Sequence, residues 1–262
     1  MPVHAAGVYE GPNQERCSDY VVSSYTPTIA ALVQARQGTS TFATRQMRLM
    51  TVASETSQDP KMPALPFAML EIRGVADVAK KAGFSGVLNV TSKADILTAL
   101  HSSQVVHFAC HGIQLTHEPH KSHFCLSNSN LTVLELTQMQ LKNPFLAYLS
   151  ACETAKGDKE HADEAIHLAA SMLFAGFKSV VATMWRVSCG GIHHMTKADR
   201  IRRAMNDADG PFVAKEFYTR LFQGRDMIDV GLVPYALDDA ATALRAKGVP
   251  PEQWATFIHM GA

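Results

Sequence analysis

The sequence predicts an α/β fold built on a parallel sheet, and three observations carry that expectation. Short apolar, β-branched runs recur at Arg48–Ala53, Gly86–Val90, Val105–Cys110, Leu146–Ser150 and Ser179–Met184. Their hydrophobicity is continuous rather than alternating, as a strand buried on both faces requires. Helical stretches lie between the runs, and strand, crossover helix, strand is the repeating unit of a parallel sheet.

Taken in order, a helix is expected over Thr28–Gln37 before the first strand, Leu70–Ala82 between the first two, Lys93–Leu100 before the third and Leu134–Leu141 before the fourth. The clearest helix is Asp163–Ala175. Its Ile166, Ala169, Ala170, Leu173 and Phe174 share one apolar face, Asp163 and Glu164 supply the acidic start, and Gly176 the stop. A helix over Phe212–Phe222 follows, then one over Tyr235–Ala246 ending before Pro250-Pro251, with Trp254–His259 as a closing edge strand. The chain contains no internal repeat and no low-complexity tract.

The 262 residues suffice for one globular body. Lys plus Arg equals Asp plus Glu at 24 each, so no overall field draws nucleic acid, an anionic membrane or an acidic substrate. Cys17, Cys110, Cys125, Cys152 and Cys189 form no Cys-x-x-Cys pair, and the start carries no charged-then-apolar leader. Reduced thiols and a cytoplasmic location are therefore expected. The apolar stretch Ile166–Trp185 approaches a membrane span in length, but His167, Gly176 and Lys178 interrupt it, so it is expected to be core.

Two segments could carry chemistry: Val105–Gly112, which ends in Cys110-His111-Gly112, and Leu146–Ala155, which contains Ser150-Ala151-Cys152-Glu153-Thr154. Each is a buried strand with a reactive side chain just past its carboxyl end, where α/β sheets place their sites. If the strands are neighbours, His111 and Cys152 meet although 41 positions (152 − 111) separate them. A thiol needs such an imidazole to become a thiolate near neutral pH. The N–H groups of Gly112 and Cys152 could form the donor pair for an oxyanion, and the reaction class would be acyl transfer. On spacing alone a second reading stands beside this one: Cys152 as a small core residue and His111 as part of a turn.

A series of motifs in a fixed order bears on the choice. His107-Phe108-Ala109-Cys110-His111-Gly112, Leu149-Ser150-Ala151-Cys152-Glu153-Thr154-Ala155, Asp163-Glu164-Ala165-Ile166-His167-Leu168-Ala169, Ala175-Gly176-Phe177, Ala182-Thr183-Met184-Trp185 and the closing Trp254 with Phe257-Ile258-His259 follow one another. Ser23–Thr28 fits the same series. This series resembles the CHAT family, relatives of caspases and separases often fused to helical repeats, and is closest to its fungal members. The resemblance covers nearly the whole chain. It implies a caspase-like three-layer sandwich with a mostly parallel central sheet, and a cysteine endopeptidase with His111 as base and Cys152 as nucleophile. The alternative within the family is an inactive interaction or scaffold module. Cys152 lies in Ser-Ala-Cys-Glu-Thr rather than the caspase Gln-Ala-Cys signature, so cleavage after aspartate does not carry over.

Two departures from the family pattern shape the domain expectation, a single CHAT domain over residues 1–262. The lead-in strand before His4 and the helical repeats are absent from this sequence, as in a truncated member. Residues Val187–Ala204 look inserted, because removing them joins Met184-Trp185-Arg186 to Met205-Asn206-Asp207 and restores the family spacing. The segment reads as a retained intron or insertion.

Asp158 and Trp185 are candidate substrate-binding residues, Asp158 as an acid following the nucleophile. Asp163 and Glu164 are better explained as helix-start acids. His107, His117, His120 and His123 with Cys125 lack the paired ligand spacing of a structural zinc site, so no metal is expected. No Gly-rich phosphate loop is present, and no cofactor is expected. The expected partner is a polypeptide substrate or another protein.

Overall fold

The computed structural model describes residues 3–9, 12, 15–57, 62, 64–115, 117–150, 166–183 and 197–262. A six-stranded sheet is its centre, with its strands in the order Phe257–Gly261, Ser179–Thr183, Leu146–Leu149, Val105–Ala109, Arg48–Ala53 and Gly86–Asn89. Those strands are β4 (Arg48–Ala53), β5 (Gly86–Asn89), β6 (Val105–Ala109), β10 (Leu146–Leu149), β11 (Ser179–Thr183) and β13 (Phe257–Gly261). The first five run parallel to one another, and β13 closes the edge antiparallel to β11. The five parallel strands thus fall where their uninterrupted hydrophobicity places them.

The remaining strands stand outside this sheet. β1 (Gly7–Val8) pairs with β2 (Glu15–Arg16), and β3 (Thr41–Ala43) pairs with β12 (Met227–Asp229). Immediately after β6 the chain enters β7 (His111–Ile113), which forms a three-stranded antiparallel sheet with β8 (His123–Cys125) and β9 (Asn130–Thr132).

Helices cover both faces. They are α1 (Ile29–Arg36), α2 (Ala68–Lys81), α3 (Lys93–Leu100), α4 (Val133–Thr137), α5 (Ile166–Phe174), α6 (Lys197–Phe222), α7 (Leu232–Arg245) and the short α8 (Pro251–Trp254). One core joins Val105, Leu146, Tyr148 and Val181 to α2, α6 and α7. The other joins Val106, Phe108, Ala147, Leu149, Val180 and Ala182 to α3, α4 and α5. Successive strand residues enter opposite cores, as the two-residue period demands, and the result is a three-layer sandwich.

Local chemistry sets the helix ends. The Ser92 hydroxyl accepts from the Asp95 N–H to start α3, and Thr132 with Glu135 forms a capping box at α4. α2 buries Ile72, Val75 and Ala79 on one stripe and carries Lys80 and Lys81 in its last turn.

Three sequence expectations need correction. α6 begins well before Phe212: the helix runs through Pro211, because the turn before it packs Gly210 against Glu71 and Ser150 while Val213, Phe217 and Leu221 beyond it fill the core, which offsets the backbone bond that proline cannot make. Residues 197–204 of the suspected insertion form its first turns. α4 ends at Thr137 rather than Leu141: the Gln138 N–H caps it on the Leu134 and Leu136 carbonyls, and the Met139 N–H turns back three residues to Leu136, which closes the last turn tightly. The closing strand starts at Phe257, while Trp254 ends α8, which Pro250-Pro251 initiates.

Candidate functional site

β6 and β10 are hydrogen-bonded neighbours. Leu146 lies opposite Val105 and Leu149 opposite Phe108, a register offset of 41 (149 − 108). Beyond the paired residues the Ser150 N–H donates to the Phe108 carbonyl at 2.8 Å, so the two strands stay tied to their carboxyl ends. On the other flank of β6 the Ser54 N–H donates to the Ala109 carbonyl at 3.0 Å.

His111 opens β7, directly opposite Cys125 in β8, and Gly112 is opposite Phe124. The Phe124 ring stacks on Phe108 at 4.8 Å, which pins the small sheet to the large one. His111 is 1 % exposed, so its ring is enclosed. Cys110 packs into the core on the α5 face. Cys152, Asp158 and Trp185, with Asp163 and Glu164, lie outside the described residues.

One polar cluster beneath these strand ends escaped the sequence reading. Glu71, in the first turn of α2, is 5 % exposed, and His107 on β6 is fully buried. His107 Nε2 is 3.0 Å from Glu71 Oε1, and the Ser150 hydroxyl donates to Glu71 Oε2 at 3.1 Å. His107 Nδ1 is 3.3 Å from the Tyr218 hydroxyl, and the imidazole stacks on Tyr148 at 4.7 Å. The proximity of Gly210 on α6 leaves little space above the carboxylate: a β-carbon there would sit 3.0 Å from Glu71 Oε2.

One tautomer of His107, assigned from its partners, satisfies the whole chain. Burial first, then the Glu71 charge, pushes the Tyr218 phenol well above its ordinary range, so its hydroxyl keeps its proton and donates to Nδ1. Nε2–H then donates to Glu71. Tyr148 is pushed up for the same two reasons, with Tyr218 as a further contributor, and its hydroxyl has no hydrogen-bond partner among the described residues. Burial likewise raises Asp209, next to Gly210, to about 6 against the opposing pull of Lys247.

The signal that could have found this cluster was present. A histidine on the inward face of a fully buried strand demands a partner, and Glu71 interrupts the apolar stripe of α2. Their pairing is tertiary, however, and the chain carries no local cue for it. Among the described residues no group of three or more His, Cys, Asp or Glu is placed to hold a metal ion, and no helix is long and apolar enough to cross a membrane.

The family profile described as CHAT domain matches residues 1–198. The chain belongs to the CHAT domain family. Among solved structures this CHAT domain is similar to the Arg-specific cysteine proteinase gingipain R, with a TM-score of 0.53 and 12 % identity over 89 % of this chain and 50 % of that one. It also matches the complex of Porphyromonas gingivalis RgpB pro- and mature domains, with a TM-score of 0.48 and 10 % identity over 83 % and 48 %. The Drosophila initiator caspase Dronc gives a TM-score of 0.39 and 10 % identity over 83 % and 78 %. At these identities the gingipain likeness speaks for the fold alone, a caspase-like sandwich, and the chain spans about half the length of that proteinase. No curated protein matches the sequence.

Proposed function

We propose that this CHAT domain is a cysteine endopeptidase in which Cys152 attacks the scissile carbonyl and His111 takes the thiol proton. The thioester that forms releases the amine, which receives that proton, and water then frees the carboxylate and regenerates the thiol. The N–H groups of Gly112 and Cys152 would bind the oxyanion, and Asp158 and Trp185 would contact the substrate. A polypeptide is the substrate class, with neither nucleic acid nor membrane involved, and the cytoplasm is the proposed location.

One observation carries this reading. β6 and β10 pair in parallel at an offset of 41 residues (149 − 108), and 41 positions also separate His111 from Cys152 (152 − 111). Family membership supports the same pair. We also read residues 1–262 as one domain, because β13, beyond the residues matched to the family, completes the same sheet.

The enclosure of His111 favours a second reading, a silent interaction module whose base no substrate reaches. A peptidyl acyloxymethyl ketone separates the two. Selective modification of Cys152 that is lost in His111→Ala supports the peptidase, whereas folded protein left unmodified supports the module.

A further inference from the structure

The cluster under the strand ends invites a role of its own. A buried carboxylate, imidazole and phenol are costly to desolvate, and an apolar trio of similar shape would fold at least as well. Their placement is the informative feature. Glu71 reaches from α2 and Tyr218 from α6, His107 stands on β6 four residues before His111, and Ser150 follows β10 two residues before Cys152. Both oxygens of one carboxylate are therefore committed to the two strands that lead to the proposed dyad.

We infer that Glu71, His107 and Ser150 form a positioning network that fixes the carboxyl ends of β6 and β10 relative to each other, and through them the sulfur of Cys152 and the imidazole of His111. This rests on the peptidase reading above. None of the three touches a substrate in this role. Glu71 is the hub: Ser150 donates to Oε2 and His107 to Oε1, while Tyr218 orients His107 from behind. Gly210 closes the hub from α6, so the same carboxylate is held between two helices and two strands. One carboxylate that accepts from both strands, at 3.0 and 3.1 Å, ties their ends to a single group, which suits a device that must hold two strand ends within a fraction of an ångström.

The test is the rate at which iodoacetamide alkylates Cys152, read by mass spectrometry of the peptide that contains it across pH. The thiolate displaces iodide, so the rate reports the sulfur and its base without any need for substrate recognition. Ser150→Ala and Glu71→Ala are expected to slow the reaction at pH 7 by roughly ten- to a hundredfold, the scale set by residues that orient a reacting group. The pH midpoint should move up toward that of a free cysteine, about 8.5. Glu71→Gln, which keeps the shape and both hydrogen bonds with the Ser150 bond reversed, should restore the rate to within about threefold of the wild-type value, well short of the loss expected for the alanine variants.

Ser150→Ala removes only a hydroxyl and keeps the test open where Glu71→Ala does not fold. Folded Ser150→Ala protein that alkylates at the wild-type rate with an unchanged midpoint overturns the network. Wild-type Cys152 that reacts no faster than a free thiol, or that ignores His111→Ala, overturns the peptidase reading and the inference with it. The two failures are thereby distinguishable.

Discussion

His259 offers a quantitative check on how the edge of the sheet is assembled. It lies on β13 and is 1 % exposed. Its Nδ1 is 2.5 Å from the Ser24 hydroxyl and its Nε2 is 3.1 Å from Ser179 Oγ, while Ser179 donates to the Ala262 carbonyl. One proton arrangement satisfies all of these bonds: Ser24 to His259, His259 to Ser179, Ser179 to Ala262. Burial pushes the imidazole from its ordinary 6.5 down to about 3. The folded protein therefore keeps His259 neutral where the unfolded chain protonates it. Between those two values the unfolded state binds the extra proton, so stability falls as pH drops from 6.5 toward 3 and is fully present above 6.5.

At pH 5 the unfolded chain is 1.5 units (6.5 − 5) below its midpoint, which corresponds to about 2 kcal/mol of lost stability from this one residue. The perturbation is His259→Gln, which keeps a donor toward Ser179 and does not titrate. Urea unfolding of both proteins at pH 8 and pH 5 gives the comparison. The loss between the two pH values should be about 2 kcal/mol smaller in the variant. Equal losses would refute the claim that His259 is held neutral by burial.

Other expectations are shorter to state. Tyr148→Phe deletes a buried hydroxyl with no partner among the described residues, so urea unfolding should show unchanged or slightly higher stability, within about 1 kcal/mol; a larger loss would reveal a hidden partner. Gly261 has φ of +115° and a β-carbon there would meet the Lys178 carbonyl oxygen at 2.3 Å. Gly261→Ala should then cost at least about 1–3 kcal/mol in thermal unfolding, and an unchanged Tm would contradict the close approach. If residues 187–204 are a retained intron, transcript sequencing recovers a form that joins Arg186 to Met205, and its complete absence rejects that proposal.

The sheet was legible because burial on both faces writes itself into consecutive residues. Arg48–Ala53 and Lys93–Leu100 coincide with β4 and α3, and β5, β6 and β10 each end one residue earlier than expected. Boundaries failed where a local rule met a tertiary one: a helix starting after Pro211 is what the local rule gives, but Gly210 packs against Glu71 and Ser150 and α6 extends back through the proline. The position of His111 after the third core strand was legible, and the adjacency of β6 and β10 on which the site depends appeared only once the sheet was assembled. The Glu71–His107 pair was not legible, since residues 36 positions apart announce no contact. Cys152, Asp158 and Trp185 lie outside the described residues, so their roles rest on sequence and family.

In the proposed peptidase His111 and Cys152 act as one thiol–imidazole unit on polypeptides. Digestion of a degenerate peptide library measures this most directly, using the intact chain beside Cys152→Ala and His111→Ala. A defined class of cut bonds is expected with the intact chain and none with either replacement. Cuts that persist in Cys152→Ala, or a library left whole by folded protein, would contradict it.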